Sequence, residues 1–145
     1  MNVLFVCLGN ICRSPMAAGI LKHLYAQENI QGAVDSAGTA DWNVGKAADH
    51  RAVATARANG IDISSHRARQ VRLDDFSKFD MIVAMDRQNA ANLCKTAPPH
   101  LKHKVRLLGE DTEIADPYHG NEAGFRTAFT MIEQGCMELI RSEIS

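Results

Sequence analysis

Cys7 and Arg13 lie six positions apart in the segment Cys7-Leu8-Gly9-Asn10-Ile11-Cys12-Arg13-Ser14-Pro15, and the pair suits chemistry on a phosphate group. A thiolate is a strong nucleophile. A guanidinium offers a planar fork that pairs with two phosphate oxygens at once. Gly9 and Asn10 are residue types that tolerate positive φ, so the chain between the pair can wrap tightly and turn successive backbone N–H groups inward as an anion nest. A helix opening at Ser14-Pro15, with Pro at its first position, adds its free N–H groups and positive dipole end. The field that holds a phosphate also favours a cysteine thiolate, and the Ser14 hydroxyl can donate to the same sulfur. Cys7 is thereby aimed at phosphorus, and a cysteinyl-phosphate intermediate follows. The charge on the equatorial oxygens is met by the nest and by Arg13. An isolated Cys and Arg at this separation would read as a buried cysteine beside a surface arginine. The full octapeptide at a strand-to-helix turn is what points to a site.

The flanking elements must put that loop where a ligand can reach it. Residues 2–7 form an apolar run that reads as a buried strand. Ala17, Ile20, Leu21 and Leu24 then follow helical spacing up to Glu28. Val34 to Ala37 is a second strand, stopped by Gly38. Residues 49–59 form a helix capped by Asp49 and closed by a left-handed glycine at Gly60, with Ile61 as its apolar follower. A short helix is expected over 72–78 and a third strand over Met81 to Met85. Asp86 caps a helix running to about Lys95, and Pro98-Pro99 ends that region. Val105 to Leu108 is a fourth strand. A last helix runs from Glu122 to Arg141, with Phe125, Phe129, Ile132, Cys136, Leu139 and Ile140 on one side. Strands alternating with helices predict an α/β fold with a parallel sheet. Ligands of such sheets bind beyond the carboxyl ends of the strands, which is where Cys7 to Ser14 falls.

The chain has 145 residues, 46 % of them apolar, and a formal net charge of -1; this fits one domain over residues 1–145 with a single core. A near-neutral chain supplies no large positive field, which argues against nucleic-acid or polybasic membrane partners. Asn2 to Cys7 is too short for a signal peptide and lacks a basic leader. No run is long enough to span a bilayer, so a cytoplasmic protein is expected. The four cysteines, Cys7, Cys12, Cys94 and Cys136, form no Cys-x-x-Cys pair and no zinc-type cluster. No metal or cofactor is therefore expected. Cys94 and Cys136 read as small buried hydrophobes.

The string Val6 to Pro15 resembles the phosphate loop of the low-molecular-weight protein tyrosine phosphatases. Further matches cover essentially the whole chain: Ser36 to Thr39 with Trp42 to Gly45, Asp62 to Arg69, Met85-Asp86 with Asn89, and Asp116-Pro117-Tyr118. The resemblance implies a four-stranded parallel sheet flanked by helices, with the phosphate-binding loop between strand one and helix one. It implies Cys7 as nucleophile, Arg13 as phosphate binder and Asp116 as general acid, then base. Leu8, Gly9, Asn10, Ile11, Cys12 and Ser14 would complete the substrate loop, with Trp42 and Tyr118 as aromatic walls. Asn10, Ser36 and His66 would hold the loop in shape. The implied partners are phosphotyrosine-containing proteins, a tyrosine kinase among the candidates. The sequence leaves the oligomeric state open. Cys12 would capture a Cys7 sulfenic acid formed by peroxide. Many relatives carry a second tyrosine where this chain has His119, which removes a phosphorylation site and alters the rim of the cleft.

Three alternatives compete. An arsenate reductase on the same fold uses a similar loop, but needs a nearby cysteine pair, whereas Cys94 has no close sequence partner and Cys136 is in the last helix. A phosphoarginine phosphatase, from a branch of the same family, carries Thr where Ile11 stands. A phosphocysteine carrier must shield its phosphocysteine from water, and an acid-base residue at Asp116 does the reverse.

Overall fold

The computed structural model describes residues 1–109 and 112–144. Strand β1 (Val3–Cys7) is buried along its whole length, as its unbroken apolar sequence requires. It lies between β2 (Val34–Gly38) and β3 (Met81–Ala84), and β4 (Val105–Leu107) closes the far edge. The order is β2-β1-β3-β4 and every pair is parallel. Side chains of β1 alternate between two cores. Val3, Phe5 and Cys7 face the layer built from helices α1 (Arg13–Glu28), α2 (His50–Ala58) and α5 (Glu122–Leu139). Leu4 and Val6 face the layer built from α3 (Asp75–Lys78) and α4 (Arg87–Thr96), through Phe76, Phe79 and Leu93. The connections leaving β1 and β3 therefore depart to opposite faces of the sheet. Between them opens the crevice in which parallel sheets hold their ligands.

The expected elements are present, with four differences. Helix α1 begins at Arg13, not Pro15; Cys12 is its N-cap position and makes no side-chain capping bond. Ser14 is thus inside the first turn, and its hydroxyl is available to the loop. Residues Pro99–Lys104 form a 3-10 helix where a plain break is expected, because Pro99 suits a first helical turn. The short helix contracts to Asp75–Lys78. The last α-helix ends at Leu139 and widens into a π-helical turn over Ile140–Ile144, whose Ile144 is buried. The caps at Asp49 and Asp86 form as expected, accepting from the N–H groups of Arg51 and Asn89. At Gly60, φ is +78°, and the N–H groups of Gly60 and Ile61 return to Arg57 and Ala56 as a helix-stop motif.

Gly38, at the end of β2, is where the sheet meets the loop. A Cβ there would stand 2.9 Å from the Leu8 carbonyl oxygen and 3.2 Å from Asn10 Cβ. Gly38→Ala is therefore expected to destabilise the fold by about 1–3 kcal/mol and to weaken competitive inhibition by inorganic phosphate. Urea unfolding and phosphate titration check this; unchanged values in both would mean that the loop yields freely to β2.

Candidate active site

The loop from Cys7 to Cys12 turns its carbonyls outward. Cys7 and Leu8 accept from the N–H groups of Thr39 and Ala40, both at 3.0 Å, and Ile11 accepts from that of Asp49 at 2.8 Å. The Gly9 carbonyl accepts from Asn43 Nδ2 at 3.2 Å. That of Asn10 accepts from His66 Nε2 at 2.7 Å. Cys12 accepts from Met16 N–H inside the first helical turn. Among the described residues, no protein acceptor takes the backbone N–H groups of Leu8 to Ser14. A set of amides left unspent at a helix N-terminus is an anion nest.

Asn10 makes this turn possible. Its φ is +57°, in the left-handed region, and it is fully buried. Arg69 N–H donates to Asn10 Oδ1 at 2.9 Å, and because a backbone N–H can only donate, the orientation of the amide is fixed. Its Nδ2 then donates to Ser14 Oγ at 2.8 Å and Ser36 Oγ at 3.0 Å. With the Ser14 oxygen already accepting, its own proton can go to Cys7 Sγ, 2.9 Å away. Asn10 O, likewise only an acceptor, requires the proton of His66 on Nε2. Burial holds the His66 imidazole below its ordinary value, outweighing the hydrogen bond and the Asp35 charge that push the other way.

Arg13 is buried to 2 % exposure. Its Nη1 donates to Asp86 Oδ2 at 2.7 Å and to the Ile114 carbonyl at 2.8 Å. Both protons of that nitrogen are thus committed, and the guanidinium plane is fixed against the segments that follow β3 and β4. The Nε–Nη2 edge keeps its donors for two anion oxygens. Asp116 lies across from it, with Oδ2 3.6 Å from Arg13 Nη2. Asp116 Oδ1 accepts from Tyr118 N–H at 3.1 Å, which aims the carboxyl from a loop with no regular structure of its own.

These groups meet in a cleft of about 200 Å³ lined by Cys7, Leu8, Gly9, Ile11, Cys12, Arg13, Trp42, Asp116 and Tyr118, all expected from sequence, together with Asn43 and His119. Trp42 is 69 % exposed, as its polar surroundings in sequence suggest, so it is a wall and not core. Asn10, Ser14, Ser36 and His66 stand behind the loop; Asn10 and Ser14, expected in the substrate loop, do not line the cleft, because their side chains are spent on each other, Ser36 and Cys7. Burial, with the negative charges of Asp49, Cys7 and Asp116, pushes the Cys12 thiol far up, so it stays protonated. Sequence reasoning gave Asp86 only a capping role, yet it is also the anchor of Arg13. Its position directly beyond β3, beside the carboxyl end of β1, was the available signal. Among the described residues, no group of three or more His, Cys, Asp and Glu side chains is placed to hold a metal ion.

Against known proteins, residues 2–144 match the sequence family described as low molecular weight phosphotyrosine protein phosphatase. A curated relative of that name from Sus scrofa is 38 % identical over 144 residues, spanning 93 % of this chain and 90 % of its own. Among solved structures, a protein tyrosine phosphatase from Entamoeba histolytica with Hepes in the active site superposes with a TM-score of 0.93, at 36 % identity over 97 % of this chain and 95 % of that one. Vibrio vulnificus Wzb in complex with benzylphosphonate superposes with a TM-score of 0.89, at 30 % identity over 97 % of both chains.

The half-buried His66 carries a pH signature. Its folded value lies below the ordinary 6.5, so between the two values the unfolded chain binds more protons than the folded one. The stability this gives is complete above the unfolded value and is lost as pH falls through the window below it. His66→Gln retains a donor for Asn10 O and cannot titrate, so its stability is expected to fall less steeply between about pH 7 and 5 than that of the wild type. Chemical denaturation across that range checks this, and identical slopes would show that His66 is not held neutral.

Proposed function

The chain belongs to the low molecular weight phosphotyrosine protein phosphatase family, and from that premise we propose that Cys7, Arg13 and Asp116 carry its hydrolysis of phosphotyrosine. Members of this family are hydrolases acting on phosphoproteins. The observation that supports the assignment best is that Cys7 Sγ, at the base of a loop with unspent amides, lies 2.9 Å from the Ser14 hydroxyl oxygen, with Arg13 and Asp116 on the walls of the same cleft.

In the proposed sequence the phosphate enters the nest and takes the free edge of Arg13. Cys7 Sγ attacks phosphorus as the bond to the tyrosyl oxygen breaks. The protonated Asp116 gives its proton to that oxygen, so tyrosine leaves neutral. Water then attacks the cysteinyl phosphate, Asp116 carboxylate takes its proton, and the S–P bond breaks to return the thiolate and release inorganic phosphate. The Ser14 hydroxyl stabilises negative charge on sulfur at both ends of the cycle, and nest and guanidinium meet the equatorial oxygens throughout.

Trp42 and Tyr118 provide the walls for the ring of the substrate, with Ile11 and Leu8 as apolar floor and rim. Benzylphosphonate in the Vibrio vulnificus relative combines a phosphate-like head with a benzyl ring, the combination this cleft offers to fit. The phosphoarginine alternative is less well served by the apolar Ile11. The arsenate reductase alternative needs a nearby cysteine pair, but Cys94 is on α4, on the opposite face of the sheet from α5, and Cys136 is fully buried in α5, its thiol pushed up by burial. We further propose that residues 1–145 act as one phosphatase domain in the cytoplasm and that a tyrosine kinase is among its substrates. Among the described residues, no helix is long and apolar enough to cross a membrane.

Cys7→Ser is expected to keep the fold and lose activity to below a few per cent of wild type, because a serine hydroxyl is hardly ionised near neutral pH; higher residual turnover removes Cys7 as nucleophile. Asp116→Asn is expected to slow phosphoenzyme formation by about 10²–10⁴-fold with poor phenolate leaving groups and far less with nitrophenolates. Single-turnover rates across a series of aryl phosphates decide this, and equal losses along the series exclude the acid role.

A further inference from the structure

Arg51 lies in the first turn of α2, outside the cleft, and every face of its guanidinium is engaged. Asp49 holds it in a fork, with Nε 3.1 Å from Oδ1 and Nη2 3.0 Å from Oδ2. The outer donors reach the acid loop: Nη2 donates to the Tyr118 carbonyl at 2.9 Å and Nη1 to the Gly120 carbonyl at 3.2 Å. The plane lies over Phe125 of α5, with Cζ 4.6 Å from the ring centroid, and 5.7 Å from the centroid of Tyr118. Asp49 is almost buried; although burial alone would raise it, the Arg51 hydrogen bonds and charge hold its carboxyl below the ordinary range.

The same turn grips the nucleophile loop, since Asp49 N–H donates to the Ile11 carbonyl at 2.8 Å. On the other side, Tyr118 passes the grip on. Its carbonyl is held by Arg51 while its N–H donates to Asp116 Oδ1 at 3.1 Å. A continuous chain thus runs from Ile11 through Asp49 and Arg51 to the Tyr118 main chain and the Asp116 carboxyl. Residues 112–117 contain no helix or strand; Ile114 is tied to Met85 and Arg13 on the N-terminal side of the acid, and the Arg51 contacts tie the chain on its C-terminal side.

We propose that Arg51 is a positioning residue for the general acid: with Asp49 it forms a latch that sets the Asp116 carboxyl against the phosphate loop, so that proton transfer to the leaving oxygen depends on it. The proposal rests on the acid role assigned to Asp116. A guanidinium is suited to the task because it can hold one carboxylate bidentately, spare donors for two carbonyls and stack on rings at once, whereas an ammonium cannot.

The test compares Arg51→Met and Arg51→Lys with the wild type, each alone and combined with Asp116→Asn, in single-turnover phosphorylation by aryl phosphates of graded leaving groups. Inorganic phosphate inhibition is measured alongside. Arg51→Met is expected to lose at least about tenfold with poor leaving groups and under about threefold with nitrophenyl phosphate, with phosphate inhibition within about twofold. Arg51→Lys is expected to fall between, and it carries the comparison if the Met variant does not fold. On the Asp116→Asn background either change is expected to add little, because the acid it positions is gone. Equal losses along the series, additive losses in the double variant, or unchanged rates overturn the proposal. A flat series for Asp116→Asn alone would instead sink the acid assignment, whereas a steep series for Asp116→Asn with a flat one for Arg51→Met sinks only the latch.

Discussion

Asn10 holds a backbone conformation that costs an L-residue about 1–2 kcal/mol, and the shape of the site depends on keeping it there. Three hydrogen bonds of its amide and one to its carbonyl are made in a buried setting. At about 0.5–1.5 kcal/mol net each, they offset the strain and leave a margin. The margin matters less than the direction it imposes. With Asn10 left-handed and its carbonyl tied to His66, the loop carbonyls face the scaffold and the amides remain for an anion. The same amide donates to the Ser14 hydroxyl and holds its oxygen 2.9 Å from Cys7 Sγ. One side chain therefore governs both the phosphate cradle and the environment of the sulfur, which explains why Ser36, His66 and the Arg69 main chain converge on a residue that does not itself line the cleft.

The sheet supplies the rest by its topology. Because β2 and β3 flank β1 on opposite sides, the loop after β1 has neighbours from both: Thr39 and Ala40 hold the Cys7 and Leu8 carbonyls, and Asp86 holds Arg13. Arg13 spends Nη1 on Asp86 and Ile114 and is left oriented, so little side-chain entropy remains to be lost when phosphate binds. The acid comes from the least regular part of the chain near the site. It is brought to the scaffold by contacts through Ile114 on one side and Tyr118 and Gly120 on the other, not by a strand or helix of its own.

Much of this is legible in the sequence because local chemistry and global order agree. A buried strand, a Gly-Asn turn, an arginine and a proline-bearing helix start occur within fifteen residues, and each restricts the others. Trp42 is legible as a wall from the family resemblance, and Asp41, Asn43 and Gly45 around it argue against a place in the core. The helix start at Arg13 is missed because Ser14-Pro15 is a stronger local signal than Cys12, and the hydroxyl of Ser14 is claimed by the loop instead of the cap. Arg51 is not legible at all. In sequence it is one of two arginines on an amphipathic helix, and only the fold brings Tyr118 and Gly120, nearly seventy positions away, against it. Asp86 is half legible: its capping role is local, and its grip on Arg13 is not.

Whether Cys7 becomes phosphorylated can be read directly. The wild-type protein is mixed with excess aryl phosphate bearing a good leaving group and quenched in acid within the first turnover. It is then digested, and the phosphoryl mass is located by peptide sequencing. The phosphoryl group is expected on Cys7 alone, accumulating with the burst of phenolate and decaying as inorganic phosphate appears. A phosphoryl group on Cys12 or on a histidine, or a phenolate burst with no phosphopeptide at any quench time, would contradict the mechanism built on this loop.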